Sequence, residues 1–235
     1  PLALQNWRWV FAMGGGGLAG FSLLLVYASQ YTTAVNLGIM QGVIPAVVIL
    51  FGWLIYRTRI GWLQFVGLCS SLTGILVLVS AGSLTTILAL RFNLGDLLMV
   101  AACLCYGAYT VALAKRLEMP PVLLLCFFAF CAFLTCSLFL IAEYSNGDLV
   151  LPGFKGSLLL FYSAIFPSIL SQTFYMRGVE LVGANRAGLY VNMVPIFAAF
   201  LAMLILSETM YLYHVVALLM VLGGIFLAQC GKIKT

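Results

Sequence analysis

The sequence predicts an all-α polytopic membrane protein built as an inverted repeat, whose complete form has five plus five helices. Three observations lead to this fold class. The 235 residues are 64% hydrophobic and only 7% charged, whereas about a quarter of the residues in a soluble domain are charged. Apolar runs of about 20 residues, each long enough to cross a bilayer, follow one another with short connections. The sequence also matches itself at an offset of 150 residues. This composition excludes a soluble globule and leaves no room for a soluble catalytic domain.

The membrane-crossing elements are predicted to be helices. The apolar runs are continuous, whereas the strands of a membrane barrel alternate apolar and polar residues. In lipid, a helix pairs its backbone polar groups within one segment. The predicted spans are residues 9–28, 32–55, 61–81, 94–114, 121–142, 157–175, 182–206 and 212–229.

The few charges predict how the chain is oriented. If the first residues are cytoplasmic, nine basic residues lie on the cytoplasmic side and only Arg91 and Lys155 lie outside. Such an excess is typical of cytoplasmic loops. We therefore expect a multi-pass protein with both chain ends in the cytoplasm. The net charge of +5 sorts by membrane side, so the predicted partner is the lipid bilayer and not a nucleic acid.

The internal repeat divides the chain into two units. Residues 1–82 would form an incomplete first repeat of three helices, and residues 93–235 a second repeat of five. By the charge assignment, the equivalent helices of the two units run in opposite directions. A complete first unit would need two further helices, so we expect eight helices with the first two missing. The Gly, Ala and Pro pairs that carry the match are Ala34 with Ala184, Gly38 with Gly188, Pro45 with Pro195, and Gly74 with Gly224.

Inverted repeats indicate transport by alternating access, with the substrate site near the membrane midplane between the two units. Proline in a helix leaves the carbonyl four residues earlier without its usual donor. Broken helices are tolerated at membrane depth where they line a cavity. The predicted hinges are Gly17, Pro45, Pro167 and Pro195.

Polar side chains inside the spans are the candidates for a substrate pathway. Each of them singly fits an interhelical hydrogen bond equally well. As a set they predict a neutral cavity, lined by amides and aromatic rings, that suits a small zwitterion or polar organic molecule. The candidates are Asn36, Gln41, Tyr106, Tyr109, Thr110, Gln172, Tyr175, Tyr190 and Asn192.

Catalytic and metal chemistry have little support in the sequence. The chain has one His, and its seven Cys lie mostly within apolar runs at spacings that do not converge, which argues against a metal site. Acidic residues such as Asp96 fall near span ends, where we expect them to reach the membrane interface. We therefore expect no catalytic residue, no metal and no other cofactor.

The sequence resembles the EamA-type members of the drug/metabolite transporter superfamily. The resemblance covers essentially the whole chain and implies a ten-helix exporter of small metabolites, commonly amino acids or related compounds, in the bacterial inner membrane. It further implies a cavity lined by the first, second, fourth, sixth and seventh helices predicted here. The residues that carry it are Arg186-Ala187-Gly188, Asn192 and Pro195, Leu206-Ser207-Glu208, Gly223-Gly224-Ile225, Asn93-Leu94-Gly95-Asp96-Leu97, and Gln30-Tyr31-Thr32-Thr33-Ala34 leading to Pro45.

Two other functions remain open at this point. One is a non-transporting membrane scaffold or a truncated gene product. The other is an intramembrane lipid-modifying enzyme, which would need clustered carboxylates or a His-centred site that the spans lack. The sequence leaves open the substrate, the coupling ion and the oligomeric state, a homodimer being one alternative.

The positions of Gln41 and Asn192, just before the matched prolines, yield a first prediction. Cysteine at either position, in an otherwise Cys-free protein, should react with aqueous thiol reagents and be protected by substrate, because both side chains would line the pathway. Labelling of the two variants measures this. Inertness at both positions would contradict it.

Overall fold

The structure, a computed structural model, describes residues 2–32, 37, 40–57, 61–83, 85, 88, 93–147, 151–194, 196–197, 201 and 211–230. All regular elements in these ranges are helices, and two of them are π-helical segments, here named π1 and π2. In chain order they are α1 Leu2–Gln5, α2 Trp7–Phe11, π1 Ala12–Ala19, α3 Gly20–Ser29, α4 Ile44–Tyr56, α5 Trp62–Val79, α6 Leu94–Leu113, α7 Pro121–Asn146, α8 Phe154–Ser163, π2 Ala164–Ser171, α9 Gln172–Val182, α10 Ala184–Tyr190 and α11 Leu212–Cys230.

Four helices of the described chain are long and apolar enough to cross a membrane. They are Trp7–Ser29, formed by α2, π1 and α3 in succession, then α6 and α7, and Phe154–Val182, formed by α8, π2 and α9. Each coincides with one of the predicted spans. The predicted spans 61–81 and 212–229 appear as the apolar helices α5 and α11, of 18 and 19 residues.

The second predicted span, residues 32–55, is not one continuous helix. Residues 42 and 43 form a turn, and α4 begins at Ile44 with Pro45 in its first turn. Proline is favoured there because the first helical N–H groups have no intrahelical acceptor. The span is thus broken just before Pro45, which lies in the first turn of the helix that follows the break. That Pro45 acts as a hinge stays a prediction.

The seventh predicted span, residues 182–206, is also interrupted. Gly183, at φ 84°, separates α9 from α10, and residues 191–192 form a turn. The Val191 carbonyl, which we expected to lack a partner, accepts a hydrogen bond of 3.0 Å from the Val194 N–H. Pro195 lies outside the described residues.

Helix α6 begins with a reciprocal cap. The Asn93 side chain accepts a hydrogen bond of 3.1 Å from the Asp96 N–H, and the Asp96 carboxylate accepts one of 2.9 Å from the Asn93 N–H. Each side chain thus satisfies one N–H at the helix start. Asp96 is only 2% exposed, so its carboxylate is buried against its partners at the start of α6. That this helix end lies at the membrane interface stays a prediction.

Helices α5 and α11 pack against each other with their backbones almost in contact. A Cβ added to Gly67 would collide with the Gly224 carbonyl oxygen, and one added to Gly224 would lie 2.5 Å from the Gly67 carbonyl oxygen. Near the crossing point the Ser70 hydroxyl donates a hydrogen bond of 2.9 Å to the Met220 carbonyl. Small residues permit such an approach in membranes, where dispersion and hydrogen bonding hold helices together.

The contacts between α5 and α11 follow the offset at which the sequence matches itself. Gly74 faces Ala217, so contacts move along α11 toward its start as they move along α5 toward its end, and the helices are antiparallel. The repeat offset of 150 relates Gly67 to Ala217 and Gly74 to Gly224. The Gly67–Gly224 and Gly74–Ala217 contacts therefore join positions that the offset exchanges.

The remaining described helices pack around α6. Its buried residues, among them Met99, Ala102 and Tyr109, belong to one apolar core together with residues of the helices Trp7–Ser29, α4, α7, α9 and α10. A second core joins α5 and α11. Phe154–Ser171 contributes no buried residue to either core, so α6 is the central helix and Phe154–Ser171 is peripheral.

The α5–α11 pair yields a prediction about stability. Gly224→Ala should destabilise the protein by about 1–3 kcal/mol, the usual range for overpacking, because its Cβ meets the Gly67 carbonyl oxygen. Gly223→Ala is the matched control, since nothing lies within 4 Å of the Cβ added there. Thermal unfolding of the purified protein in detergent measures both. Equal midpoints for the two variants would show that the helices do not pack as described.

Candidate functional site

A cavity of about 440 Å³ lies beside α6. Its walls come from four long helices: π1 and α3 on one side, α6 and α7 behind, and π2 with the start of α9 on the other side. Leu18, Phe21, Leu125 and Phe133 are among its apolar lining residues. Four polar side chains face the same space, namely Ser22, Tyr106, Ser168 and Gln172. A mostly apolar cavity with a few converging polar groups is typical of small-molecule sites.

Tyr106 is at the centre of an aromatic cluster next to this cavity. Its ring centroid lies 5.0 Å from that of Phe21, and 5.8 Å from those of Tyr109 and Tyr175. Tyr109 in turn meets Phe128 of α7 edge to face at 6.1 Å. Tyr106 and Tyr109 are three residues apart and therefore share one face of α6. The cluster thus connects α3, α6, α7 and α9.

Two side-chain hydrogen bonds join α6 to α9 next to the cavity. The Tyr109 hydroxyl donates to Gln172 Oε1 at 3.4 Å, and the Thr110 and Tyr175 hydroxyls share a hydrogen bond of 3.0 Å. Tyr109 and Thr110 are fully or almost fully buried. Since buried polar groups need partners, these bonds set the register of the two helices.

The helix around Pro167 departs from α geometry in the segment π2, and the hydrogen bonds of the Ser163 carbonyl show why. In an α-helix the Ser163 carbonyl would accept a hydrogen bond from the N–H of residue 167, but proline has none. The backbone shifts here to the π-helical i→i+5 register, and the Ser168 hydroxyl also donates to the Ser163 carbonyl, at 2.9 Å. Pro167 and Ser168 both line the cavity. The break is therefore located at the cavity wall.

The segment π1 contains the run Gly14–Gly17. Three of its four glycines, all but Gly16, are close-contact positions: a Cβ on Gly17 would lie 2.9 Å from Tyr109 Cβ, and one on Gly15 would lie 2.6 Å from the Thr135 hydroxyl of α7. The two π segments, Ala12–Ala19 and Ala164–Ser171, fall within two residues of the repeat offset. π-Helical turns occur frequently at functional sites.

The structure brings most of the predicted pathway and hinge residues into one place. These are Tyr106, Tyr109, Thr110, Gln172 and Tyr175, together with Gly17 and Pro167. Tyr106, Gln172 and Pro167 face the cavity itself, whereas Tyr109, Thr110 and Tyr175 lie in the helix contacts behind it.

Other predicted pathway residues lie elsewhere. Asn192 is 1% exposed and donates a hydrogen bond of 2.7 Å to the Ser71 hydroxyl of α5. Tyr190 is 45% exposed at the end of α10, and Gln41 is half-buried just before the turn that precedes α4. None of these three lines the cavity beside α6. Asn36 lies outside the described residues.

One wall of the cavity was missed by the sequence reasoning. Helix α7 contributes Leu125, Phe133 and Cys136 to the lining, although the resemblance implied a cavity that excludes this fifth predicted span. The inner and outer faces of α7 are both apolar, so no pattern in the sequence separates its cavity side from its lipid side. Ser22 and Ser168 carried no signal either, because single hydroxyls are common in membrane helices.

The architecture and the cavity together define a class: a multi-pass helical membrane protein with a mostly apolar cavity between broken helices. The model of the EamA-like transporter family matches residues 1–80 and 93–229. The chain belongs to this family and hence to the drug/metabolite transporter superfamily, which confirms the resemblance found in the sequence. It is thus a membrane transporter by family.

Relatives and a solved structure agree with this assignment. The uncharacterized transporter YetK of Bacillus subtilis (strain 168) is 28% identical over 92% of this chain, and the uncharacterized transporter YyaM of the same organism is 23% identical over 91%. The chain spans 66% and 70% of their lengths. A crystal structure of 19% identity superposes with a TM-score of 0.79 over 94% of this chain and 76% of that one, which supports the fold.

The Thr110–Tyr175 hydrogen bond yields a prediction of its own. Thr110→Val and Tyr175→Phe should each destabilise the protein, and their double mutant should show a coupling of roughly 0.6 kcal/mol, the mean for hydrogen bonds between membrane helices. Unfolding of the three variants in detergent measures the coupling. Thr110→Val combined with Ser137→Ala is the control, since the Ser137 hydroxyl bonds only within its own helix, to the Phe133 carbonyl. Strict additivity for Thr110 and Tyr175 would exclude the bond.

Proposed function

We propose that the protein is a secondary transporter that exports a small polar metabolite, an amino acid or a related compound, by alternating access. The observation that carries this proposal is the cavity beside α6 and the two π segments on its walls. Discontinuous helices at membrane depth are found where backbone lines a cavity or a substrate path. A helix that is already broken bends there at little cost, which is what opening a cavity to one side requires.

The proposed mechanism needs two inverted units, and several contacts support them. Helices α5 and α11 cross antiparallel at Ser70 and Met220. The offset of 150 residues relates Ser70 to Met220, so the two residues of this contact occupy equivalent positions in the repeat. The π segments occupy equivalent helices. Residues 1–82 and 93–235 would be these units, and exchange of their conformations would turn an inward-open cavity into an outward-open one.

The exposed face of π2 supports a five-plus-five arrangement. Its counterpart π1 is covered by α7, where Gly14 lies against the Phe128 backbone, whereas Phe154–Ser171 has no buried residue. In the proposed arrangement a helix equivalent to α7 covers π2. That the first unit has two further helices stays a prediction.

The contacts at the helix ends support the proposed topology. Thr32 meets Asp96, both on the predicted outer side, and Arg116 meets Glu180, both on the predicted cytoplasmic side. The excess of basic residues on the second side places it in the cytoplasm. We propose that the membrane is the bacterial inner membrane, with both chain ends in the cytoplasm.

The wall of the cavity supports a neutral or zwitterionic substrate. Amide, hydroxyl and aromatic groups line it, and neither a carboxylate nor a basic side chain stands among its described lining residues. Transfer of a net charge into so apolar a space would be costly without a partner. An intramembrane enzyme would need reactive groups within reach of one another, so this wall favours a carrier.

Resistance to toxic compounds tests the proposal. Cells that overproduce the protein should tolerate at least one amino acid, analogue or purine of a broad toxicity panel better than control cells. Gln172→Leu should abolish the resistance, because it removes the amide from the cavity wall. Thr173→Val is the matched control: its hydroxyl is exposed and bonds to the Ile169 carbonyl of its own helix. No increased resistance to any compound, or equal loss in both variants, would contradict the proposal.

A further inference from the structure

Helix α6 is bound at each of its two ends by a different long helix. At its start the Thr32 hydroxyl donates a hydrogen bond of 2.7 Å to the Asp96 carboxylate. At its other end the Arg116 guanidinium pairs with the Glu180 carboxylate at 2.8 Å. The α6 helix has 20 residues, so about 30 Å separates the two contacts. We call Thr32–Asp96 the outer contact and Arg116–Glu180 the inner contact, after their predicted sides.

Both contacts are rigidly attached to the helices they join. The Thr32 N–H bonds to the Ala28 carbonyl at 3.1 Å, which continues the end of α3, and the Arg116 N–H bonds to the Leu113 carbonyl at 3.2 Å, which continues the end of α6. Asp96 belongs to the first turn of α6 and Glu180 to the end of α9. Movement of α3 or α9 relative to α6 therefore has to stretch or break one contact.

The two helices held in this way are equivalent in the repeat. The outer contact holds Trp7–Ser29, which contains π1, and the inner contact holds Phe154–Val182, which contains π2. The cavity lies between them, and Tyr106 of α6 faces it. The outer contact joins the first unit to α6 and the inner contact lies within the second unit, and the two contacts lie toward opposite ends of the cavity.

We propose that the outer and inner contacts are the two gates of the transport cycle, which rests on the alternating access proposed above. Release of Thr32 from Asp96 frees the end of α3 and opens the cavity outward. Release of Glu180 from Arg116 frees the end of α9 and opens it inward. Both contacts are made in the structure.

The chemistry of the contacts suits release during a cycle. The Arg116 side chain is 14% exposed and that of Glu180 is 36% exposed, so water partly screens the ion pair and keeps it weak. Arg116 Nη1 is buried and has no hydrogen-bond partner in the described part of the chain, and inward opening would hydrate it. Asp96 retains its bond to the Asn93 N–H when Thr32 leaves, so outward opening does not strand the carboxylate.

A second ion pair on Glu180 offers a matched control. Arg177 pairs with the same carboxylate at 2.6 Å, but it lies three residues away on the same helix. Loss of Arg177 therefore removes a charge of the same sign at the same carboxylate without loosening α9 from α6. Ser29 is the control for the outer contact, since its hydroxyl donates to the Val26 carbonyl of its own helix at 2.7 Å.

The cavity contains its own reporter, because Cys136 lines it. With the other cysteines replaced by Ala, a membrane-impermeant maleimide applied to right-side-out and inside-out vesicles reports access to Cys136 from each face. Glu180→Gln should speed labelling from the cytoplasmic face about fivefold, the shift expected from loss of one partly exposed ion pair, and should not speed it from the outside. Thr32→Val, which leaves the Asn93–Asp96 cap intact, should do the reverse.

The control variants, and the opposite effects expected of Glu180→Gln and Thr32→Val, test the proposal. Arg177→Gln and Ser29→Ala should label like the parent protein. A variant that only loosens the fold would speed labelling from both faces, and that result would overturn the proposal. Unchanged labelling would also overturn it. So would an effect of Arg177→Gln equal to that of Glu180→Gln. Labelling needs no substrate. A negative resistance panel with face-specific labelling would therefore reject export and keep the gates.

Discussion

Backbone polar groups in the hydrocarbon core of a bilayer have no water to bind, and this constraint shapes the whole molecule. It makes every described element a helix and allows an irregular backbone only where protein or a cavity supplies partners. The break at Pro167 follows from it: proline offers the Ser163 carbonyl no N–H, the backbone shifts to the π-helical register, and the Ser168 hydroxyl donates to the same carbonyl. This break is therefore a local solution to hydrogen bonding, and it lies at the wall of the cavity.

Close approach of backbones is the second feature on which the architecture depends. Lipid is as apolar as a leucine side chain, so helices in a bilayer associate through tight packing and hydrogen bonds. Gly67 and Gly224 let α5 and α11 approach each other, and Gly17 lets π1 approach Tyr109 of α6. Where no such contact forms, as along Phe154–Ser171, the helix stays exposed. The positions of small residues thus separate the packed core of the protein from its exposed faces.

Much of the site was predictable because its polar residues are rare in so apolar a chain. Tyr106, Tyr109, Thr110, Gln172 and Tyr175 were singled out one by one, and they meet in space because α6 packs against α9. Their pairing was not predictable, since helical spacing determines which residues share a face but not which helices touch. Asn192 was predicted on the same grounds as Gln172, yet its side chain bonds to Ser71 of α5, away from the cavity. The contribution of α7 to the cavity wall could not be predicted, because the two faces of this helix have the same composition.

The sequence by itself determined the membrane class, the family and the approximate helices. These follow from local properties, namely the length of apolar runs, the energetic cost of charge in lipid, and residues that recur at a constant offset. Only the tertiary structure decided where helices break, that Pro45 begins a helix, that Asp96 is buried, and which polar residues surround the cavity. Such features depend on contacts between segments far apart in the chain, and in a bilayer those contacts arise from shape and hydrogen-bond fit, which composition does not encode.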